Sequence, residues 1–358
     1  MNKATPLISI VYSFYNEQSV LRELINRTRT VMREEMRNGS IRDYEILFVN
    51  DASTDLSRNI LLEEAELGRD IILVDMSRNF GVSECVLAGF RLAKGDAVVY
   101  LDADLQDPPE LIPEMIAMWK QDLDMEVVYT TRKTRAGEHP LKMALTRFGY
   151  RFINRLSEIE LPVDSGDFKL LSRRAVEHVL QLKEQRPYLR GMVSWIGFKQ
   201  GQILYDREGR GDGRENTKFP VLSRRVIYGY LDRALISFSD APLKIMLFLG
   251  LGVSVLALAY VLVVLVQKIL GLYEPGWPAL MAAILLLGGI QLSLLGVMGL
   301  YLTSIFLQVK ERPLGIVDKV TAPLEKLSGR GVLTEGGQGQ DHSVRLHVKS
   351  DSPVETTV

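Results

Sequence analysis

The sequence predicts an α/β protein in which a parallel sheet domain precedes two apolar, membrane-spanning helices. Up to about Thr131, short runs rich in Ile and Val alternate with longer segments of helical periodicity. This alternation is typical of a parallel sheet covered by helices on both faces. Further along, the uncharged runs Ile245–Val266 and Pro275–Val309 each exceed the ~20 residues that span the hydrocarbon of a bilayer.

Five strands and four helices are predicted in the first part of the chain. The predicted strands are Leu7–Tyr12, Glu45–Val49, Ile71–Val74, Ala97–Leu101 and Val127–Thr130. The predicted helices are Glu17–Met36, Thr54–Leu67, Val82–Ala93 and Pro108–Gln121. Asn16 is expected to cap the first helix, and Pro108-Pro109 suits the start of the fourth. Ligands of such sheets bind at the carboxyl ends of the strands, so the residues that follow each strand form the candidate site.

Two amphipathic helices are predicted between the sheet domain and the apolar runs. Lys142–Leu156 and Val221–Phe238 each combine an apolar face with several arginines. Periodicity alone fits a core helix with a solvated face as well as it fits a helix lying in the membrane interface. The second segment leads directly into the first apolar run, which favours the interface.

The distribution of basic residues predicts the orientation of the membrane hairpin. Arg224, Arg225, Arg233, Lys310 and Arg312 flank the two apolar runs, whereas Lys268 is the only basic residue of the connection Gln267–Glu274. The positive-inside rule then places both termini in the cytoplasm. The expected location of this multi-pass protein is the cell (inner) membrane. The predicted organisation is a catalytic domain at 1–218, an interfacial helix at 219–240, two spans at 243–309 and a tail at 310–358. The tail is expected to be disordered after about Leu327.

Composition limits the functional classes. Lys and Arg number 43 and Asp and Glu 44, giving a net charge of −1, which argues against nucleic acid as a partner. One cysteine, Cys85, excludes a disulfide framework and suits a reducing compartment.

Two carboxylates directly follow the fourth predicted strand. Asp102 and Asp104 are two residues apart and project to the same side of a strand end, where both can bind one divalent cation. Oxygen ligands are those that Mg²⁺ and Mn²⁺ prefer, and such sites leave positions open for phosphate oxygens. The sequence therefore predicts a metal site at Asp102 and Asp104.

Polar residues also follow the first two strands. Asp51 can accept hydrogen bonds from a base or a ribose, although Ser53, Thr54 and Asp55 beside it are also typical of a helix cap. No G-x-G-x-x-G and no G-x-x-x-x-G-K-[ST] motif follows any of these strands. This absence argues against a dinucleotide oxidoreductase and against a P-loop enzyme.

Six short motifs occur along the chain in this order: Tyr15-Asn16-Glu17, Asn50–Asp55, Ser77–Gly81, Asp102–Glu110, Ser165–Leu170 and Asn216–Phe219. They resemble the motifs of family-2 glycosyltransferases, and within that family those of the membrane-anchored polyprenyl-phosphate glycosyltransferases related to dolichol-phosphate mannose synthase. The resemblance covers about residues 5 to 320, and two predicted spans follow the last motif. Ser13 stands where the family usually has proline, and Ala52 where it usually has glycine.

The resemblance implies a GT-A-like fold, a nucleoside-diphosphate sugar donor and a polyprenyl phosphate acceptor of undecaprenyl or dolichyl type. Asp51 would contact the base, with Tyr15 and Glu17 near base and ribose. Asp102 and Asp104 would bind the diphosphate and Mg²⁺ or Mn²⁺, with Gln106 beside the sugar. Asp167 would be the general base, with Asp164 as the alternative. The cations that would bind the acceptor phosphate are Arg132, Arg135, Arg207, Arg210 and Lys218.

The expected reaction is transfer of a single sugar with inversion at the anomeric carbon. A processive polysaccharide synthase is the first alternative, but its Gln-x-x-Arg-Trp motif is absent, since Gly191-Met192-Val193-Ser194 precede Trp195. A non-catalytic membrane scaffold is the second. We expect a UDP-hexose as donor, although no residue distinguishes it from a GDP-sugar. The lipid chain length and the oligomeric state, a homo-oligomer included, are left open by the sequence.

Overall fold

The computed structural model describes residues 3–68, 70–132, 165–206, 241–271, 276–322 and 345–347. Two compact units divide the chain. The first comprises Met1–Pro140, Pro162–Lys218 and Pro313–Val358, and the second comprises Leu141–Leu161 and Phe219–Arg312.

The first unit is built on a mixed, mainly parallel sheet. Its first five strands are β1 (Leu7–Phe14), β2 (Asp43–Asn50), β3 (Ile71–Met76), β4 (Ala97–Asp102) and β5 (Met125–Arg132). The later strands are β6 (Ser165–Ser172), β7 (Lys199–Tyr205), β8 (Val317–Thr321) and β9 (Arg345–His347). Their order across the sheet is β7-β5-β6-β4-β1-β2-β3-β8-β9. β1 to β4 are mutually parallel, whereas β6 runs antiparallel to β4 and β5.

Helices cover both faces of this sheet, as the strand–helix alternation predicts. They are α1 (Leu21–Arg37), α2 (Ser57–Leu67), α3 (Val82–Leu92), α4 (Ile112–Gln121), α5 (Arg173–Gln181) and α6 (Leu189–Trp195). The central strands are buried almost throughout, because a strand covered on both faces needs apolar side chains in both directions. All five predicted strands and all four predicted helices of this region are confirmed, with shifted ends.

The chain returns to the sheet after the apolar helices. β8 pairs antiparallel with β3, and the Ser77 amide donates to the Ile316 carbonyl at 2.9 Å. The assignment of 310–358 to a tail is therefore wrong for Val317–Thr321, which extends the sheet. β9 pairs with β8, so the prediction of disorder after about Leu327 is also wrong for Arg345–His347. Val317–Thr321 contains no run of apolar residues and Arg345–His347 has three residues, so only their sheet partners define these strands.

The second unit contains two long apolar helices, α7 (Ala241–Ile269) and α8 (Trp277–Val309), of 29 and 33 residues. At 1.5 Å per residue they extend roughly 44 and 50 Å, more than the ~30 Å of bilayer hydrocarbon. Within the described part of the chain, one segment, Leu287–Val309, has the length and the mean hydropathy, 1.8, of a membrane span. The predicted amphipathic helices Lys142–Leu156 and Val221–Phe238 lie outside the described residues.

Candidate active site

A cleft of about 200 Å³ lies at the carboxyl ends of the central strands. The loops after β1, β2 and β4 and the start of α3 form its walls. It contains five of the residues that the sequence assigns to the donor site. The cleft is lined by Ser13, Phe14, Tyr15, Glu17, Asp51, Val82, Cys85, Asp102, Ala103 and Asp104.

Each of the three loops that follow β1, β2 and β4 contains one non-glycine residue in the left-handed region of backbone conformation. Asn16 and Ala52 have φ of 58° and Leu105 has φ of 57°. Such conformations cost about 1–2 kcal/mol for an alanine-like residue, and they concentrate at functional sites. At Ala52 the geometry explains the family preference for glycine, which adopts positive φ without steric cost.

Hydrogen bonds join the loop after β1 to the loop after β2. The Asn16 side-chain oxygen accepts from the Thr54 amide at 2.8 Å, and the Asn16 amide donates to Ser53 Oγ at 3.1 Å. The Glu17 amide donates to the buried Ser57 hydroxyl at 2.9 Å. Asn16 therefore does not cap α1, which begins only at Leu21. Its side chain is within reach of the second loop, and this contact holds Tyr15 and Glu17 at the cleft.

Asp51 occupies the predicted base-binding position, but it also supports the local backbone. Its carboxylate oxygens accept the amides of Phe80 and Gly81 at 2.7 and 3.0 Å. Burial, followed by the charge of Asp51, raises the pKa of the neighbouring Cys85 thiol. The sequence left base contact and helix capping open as roles in this loop. In the structure Asp51 lines the cleft and is bonded to the third motif, Ser77–Gly81. Of the cap candidates, Asp55 accepts from the Ser57 amide at the start of α2.

Asp102 and Asp104 lie together at the end of β4, as predicted. Burial, and after it the negative charges of Asp167, Asp104 and Asp107, raise the pKa of Asp102 to about 7. Ser13 Oγ donates to Asp102 Oδ1 at 3.3 Å, a contact that a proline at this position would not provide. The strand end therefore concentrates negative charge that a cation would compensate.

Gln106 and Asp107, further along the same motif, are buried. The Gln106 amide donates to Asp104 Oδ1 at 3.1 Å, which fixes the loop around Leu105. The Tyr205 hydroxyl at the end of β7 donates to the buried Asp107 carboxylate. The predicted position of Gln106 beside the sugar remains a prediction, because Gln106 is not among the residues that line the cleft.

Asp167, the predicted general base, forms an ion pair that the sequence did not indicate. Arg190 Nε and Nη2 lie 2.6 and 2.5 Å from its two carboxylate oxygens. Asp167 contributes to the electrostatics of Asp102, so the two carboxylates belong to the same acidic cluster. Arg190 lies in α6 and does not directly follow a predicted strand in the sequence, and no motif or periodicity pointed to it.

The remaining predicted site residues lie at or beyond the limits of the described chain. Asp164, the alternative base, lies outside it, as do the cations Arg135, Arg207, Arg210 and Lys218. Of Arg132, the structure describes the backbone, which ends β5 and pairs with Tyr205 in parallel β7. The ends of β5 and β7 are thus adjacent. The assignment of these cations to the acceptor phosphate remains a prediction.

The donor set fits a cation shared with a ligand more closely than a metal held by protein alone. Across the described ranges, no group of three or more His, Cys, Asp or Glu side chains is arranged to hold a metal ion. Asp102 and Asp104 offer carboxylate oxygens, and Mg²⁺ sites commonly combine one or two carboxylates with substrate phosphates and water. The crowding of carboxylates around Asp102 is the structural observation that supports such an ion.

Comparisons with known proteins agree with this architecture. Residues 9–180 match the model of Glycosyl transferase family 2. An uncharacterised glycosyltransferase of Synechocystis sp. is 39% identical over 326 residues, covering 90% of this chain and 99% of the relative. The uncharacterised glycosyltransferase YkcC of Bacillus subtilis is 40% identical, covering 87% of this chain and 93% of the relative.

Two further similarities are more distant. A prophage bactoprenol glucosyl transferase homolog of Escherichia coli is 32% identical over 314 residues, which is 87% of this chain and 99% of that protein. A solved structure of glucosyl-3-phosphoglycerate synthase from Mycobacterium tuberculosis aligns with a TM-score of 0.43 at 21% identity, covering 65% of this chain and 80% of that chain. The structural likeness is too weak to add to the argument, whereas the relatives match nearly from end to end. The sequence identities over these lengths, together with the family match, show that the chain belongs to glycosyltransferase family 2.

Proposed function

We propose that this glycosyltransferase transfers a single sugar from a nucleoside-diphosphate sugar to a polyprenyl phosphate, with inversion at the anomeric carbon. The observation that carries the proposal is the pair Asp102 and Asp104 at one wall of a cleft that Tyr15, Glu17 and Asp51 also line. Aromatic and acidic side chains suit a nucleoside, and paired carboxylates suit the metal-bound diphosphate beside it.

The acceptor proposal has support from the relatives and from the apolar helices. The Escherichia coli relative and a 32% identical protein of Shigella flexneri are named bactoprenol glucosyl transferases, and the alignments include the region of α7 and α8. A lipid acceptor requires an enzyme held at the membrane, and Leu287–Val309 has the composition of a span. We favour a UDP-hexose as donor, with UDP-glucose the first to test because of these names.

The chemistry follows from the charges that the site must manage. Asp102 and Asp104 would hold Mg²⁺ or Mn²⁺, which when bound offsets the negative charge that develops on the leaving diphosphate. An acceptor phosphate monoester has its second pKa near ~6 and is already an anion at neutral pH. A strong general base is then less necessary than in transfer to an alcohol. Asp167, held by Arg190, is suited to orienting the acceptor at least as much as to removing a proton.

We further propose that α7 and α8 form a two-span hairpin with both termini cytoplasmic. In the predicted interfacial helix Val221–Phe238, we propose that Leu222, Tyr230 and Leu231 face lipid. Arg207 and Arg210 would then receive the acceptor phosphate. Reporter fusions at Gly271 and after Lys319 are expected to report opposite sides of the membrane. Both reporters on one side would contradict the hairpin.

The activity test uses the full chain in nanodiscs with undecaprenyl phosphate, Mg²⁺ and a panel of labelled UDP- and GDP-sugars. The expected product is a lipid-extractable monosaccharide phosphate that forms with one donor and disappears with EDTA. A labelled polymer would instead support a processive synthase. A folded chain that releases no nucleoside diphosphate with any donor would support a scaffold.

A further inference from the structure

Arg190 and Asp167 make a two-point contact that fixes both side chains. Asp167 lies in β6, and Arg190 lies in the first turn of the short helix α6. The guanidinium donates through Nε and Nη2 to the two carboxylate oxygens, at 2.6 and 2.5 Å. A planar fork of this kind sets the orientation of a carboxylate, whereas a lysine ammonium acts as a point charge.

This pair belongs to the acidic cluster and not to a separate structural network. The charges of Asp167 and Arg190 both act on the buried Tyr100, whose β4 neighbour Asp102 is also affected by Asp167. Lys169, two residues along β6 on the same face as Asp167, is 1% exposed and pairs in register with Tyr100. Two cationic residues, Arg190 and Lys169, therefore lie close enough to Asp167 to interact with its charge, and the same charge acts on Asp102.

The Asp167–Arg190 pair is partly exposed to solvent. The side chains of Asp167 and Arg190 remain 31% and 29% exposed. Ion pairs with this access to solvent typically contribute about 0–1 kcal/mol to stability. The contact also fixes the orientation of the Asp167 carboxylate beside the predicted metal site. Stability alone would not require this fixed orientation.

The reaction supplies a reason for this arrangement. In the proposed reaction an anionic phosphate must approach a diphosphate at a site that already contains several carboxylates. Like charges within a few ångströms of one another repel. A guanidinium bonded to Asp167, the proposed general base, compensates the negative charge of that carboxylate. The two-point contact also restricts rotation of the carboxylate.

We propose that Arg190 is a positioning residue for sugar transfer, which holds Asp167 in one orientation and offsets its charge as the acceptor phosphate approaches. Arg190 acts through Asp167 and has no role in donor binding. The inference rests on the proposed function, because it assumes a phosphate acceptor.

The test compares Arg190→Ala, Arg190→Lys and the control Arg174→Ala in the full chain in nanodiscs. Arg174 is a matched arginine on α5 that lies 3.5 Å from Glu126 and stacks on Phe198. With UDP-glucose, undecaprenyl phosphate and Mg²⁺, both Arg190 variants are expected to lose kcat on the order of 10²-fold, because a displaced catalytic group costs that much. The lysine variant keeps the positive charge but cannot make the two-point hydrogen bond to Asp167. UDP affinity and Tm should stay near the wild-type values, and Arg174→Ala should transfer normally.

Two further measurements separate positioning from a structural role. Guanidinium ion added to Arg190→Ala should restore part of the lost kcat without changing UDP affinity. In an Asp167→Asn background, Arg190→Ala should cause little additional loss, because residues that act as a unit are not additive.

The opposite outcomes overturn the proposal. Wild-type kcat in both Arg190 variants would do so, as would parallel loss of UDP affinity and Tm, or full additivity with Asp167→Asn. If the wild-type chain transfers sugar to the lipid and the variants give any of these results, the role of Arg190 is overturned and the proposed function stands. A wild-type chain that makes no lipid-linked sugar from any donor would overturn the proposed function and this proposal with it.

Discussion

Buried acidic groups have opposite surroundings at the two ends of the central strands. The side of the sheet where the parallel strands begin is the amino edge, and the side where they end is the carboxyl edge. At the amino edge, Glu45 is 1% exposed and accepts the Ser9 hydroxyl at 2.6 Å and the Lys94 amide at 2.8 Å. Ser9 Oγ in turn accepts the Gly95 amide at 2.7 Å, and Arg173 donates to the carbonyls of Ala93 and Gly95. Each of these contacts pairs a donor with an acceptor inside the protein.

At the carboxyl edge, acidic groups are placed beside one another. Burial and the charges of Asp167, Asp104 and Asp107 raise the pKa of Asp102 to about 7, and the adjoining loops contain residues with positive φ. Such an arrangement costs stability and is typical of a site organised for a ligand. The comparison teaches that Glu45 at the amino edge is satisfied by donors within the protein, whereas Asp102 at the carboxyl edge lies among other carboxylates, an arrangement that stabilises the fold less and suits a ligand site.

The largest expected effect is a loss of sugar-transfer activity when a carboxylate of the carboxyl edge is replaced. Asp104→Asn should reduce kcat by roughly 10²- to 10³-fold, because it removes charge that would hold the metal-bound diphosphate. The chain should remain folded and in the membrane. Transfer from labelled donor to polyprenyl phosphate measures this loss, and near-normal turnover with Mg²⁺ or Mn²⁺ supplied would refute the metal assignment.

The control for this variant lies at the amino edge. Glu45→Ala removes a buried acceptor of two hydrogen bonds and should lower stability by about 1–3 kcal/mol. Activity per folded molecule should be unchanged. If Glu45→Ala reduced turnover as strongly as Asp104→Asn, the functional distinction between the edges would fail.

An intermediate effect is expected on the pH dependence of stability. Because the folded pKa of Asp102 is raised from 3.8 to about 7, the folded state binds more protons than the unfolded state between these values. Stability should therefore fall as pH rises from about 4 to about 7. Asp102→Asn removes this cost and should raise Tm at pH 8 in metal-free buffer by at least about 2 °C.

The same melting experiment tests the metal. Mg²⁺ should raise the Tm of the wild-type chain at pH 8 by binding the folded state, and it should have little effect on Asp102→Asn. At pH 4 the two proteins should differ little, since the wild-type carboxyl is then protonated. An Asp102→Asn variant less stable than wild type at pH 8 without metal would contradict the electrostatic cost assigned to this edge.

The smallest expected effect concerns the strained loop after β2. Ala52→Gly should stabilise the chain by about 1 kcal/mol, because φ of 58° is unfavourable for alanine and not for glycine. Transfer activity should be retained. The matched variant Ala93→Gly, at φ of −66°, has no strain to relieve and should be destabilising. Equal effects of the two variants on Tm would show that loop strain contributes nothing at this edge.

The sequence by itself determined the order of β1 to β5 and α1 to α4, the position of Asp102 and Asp104 and the glycosyltransferase family. These features are local: periodicity, strand-end position and contiguous motifs can be read from neighbouring residues. Only the tertiary structure decided that β6 runs antiparallel between β4 and β5, that Val317–Thr321 returns to the sheet, and that Arg190 holds Asp167. It also decided that Asn16 bonds to Thr54 and does not cap α1. Each of these contacts joins residues more than twenty positions apart, and such pairing depends on how the chain folds back on itself, which no local pattern specifies.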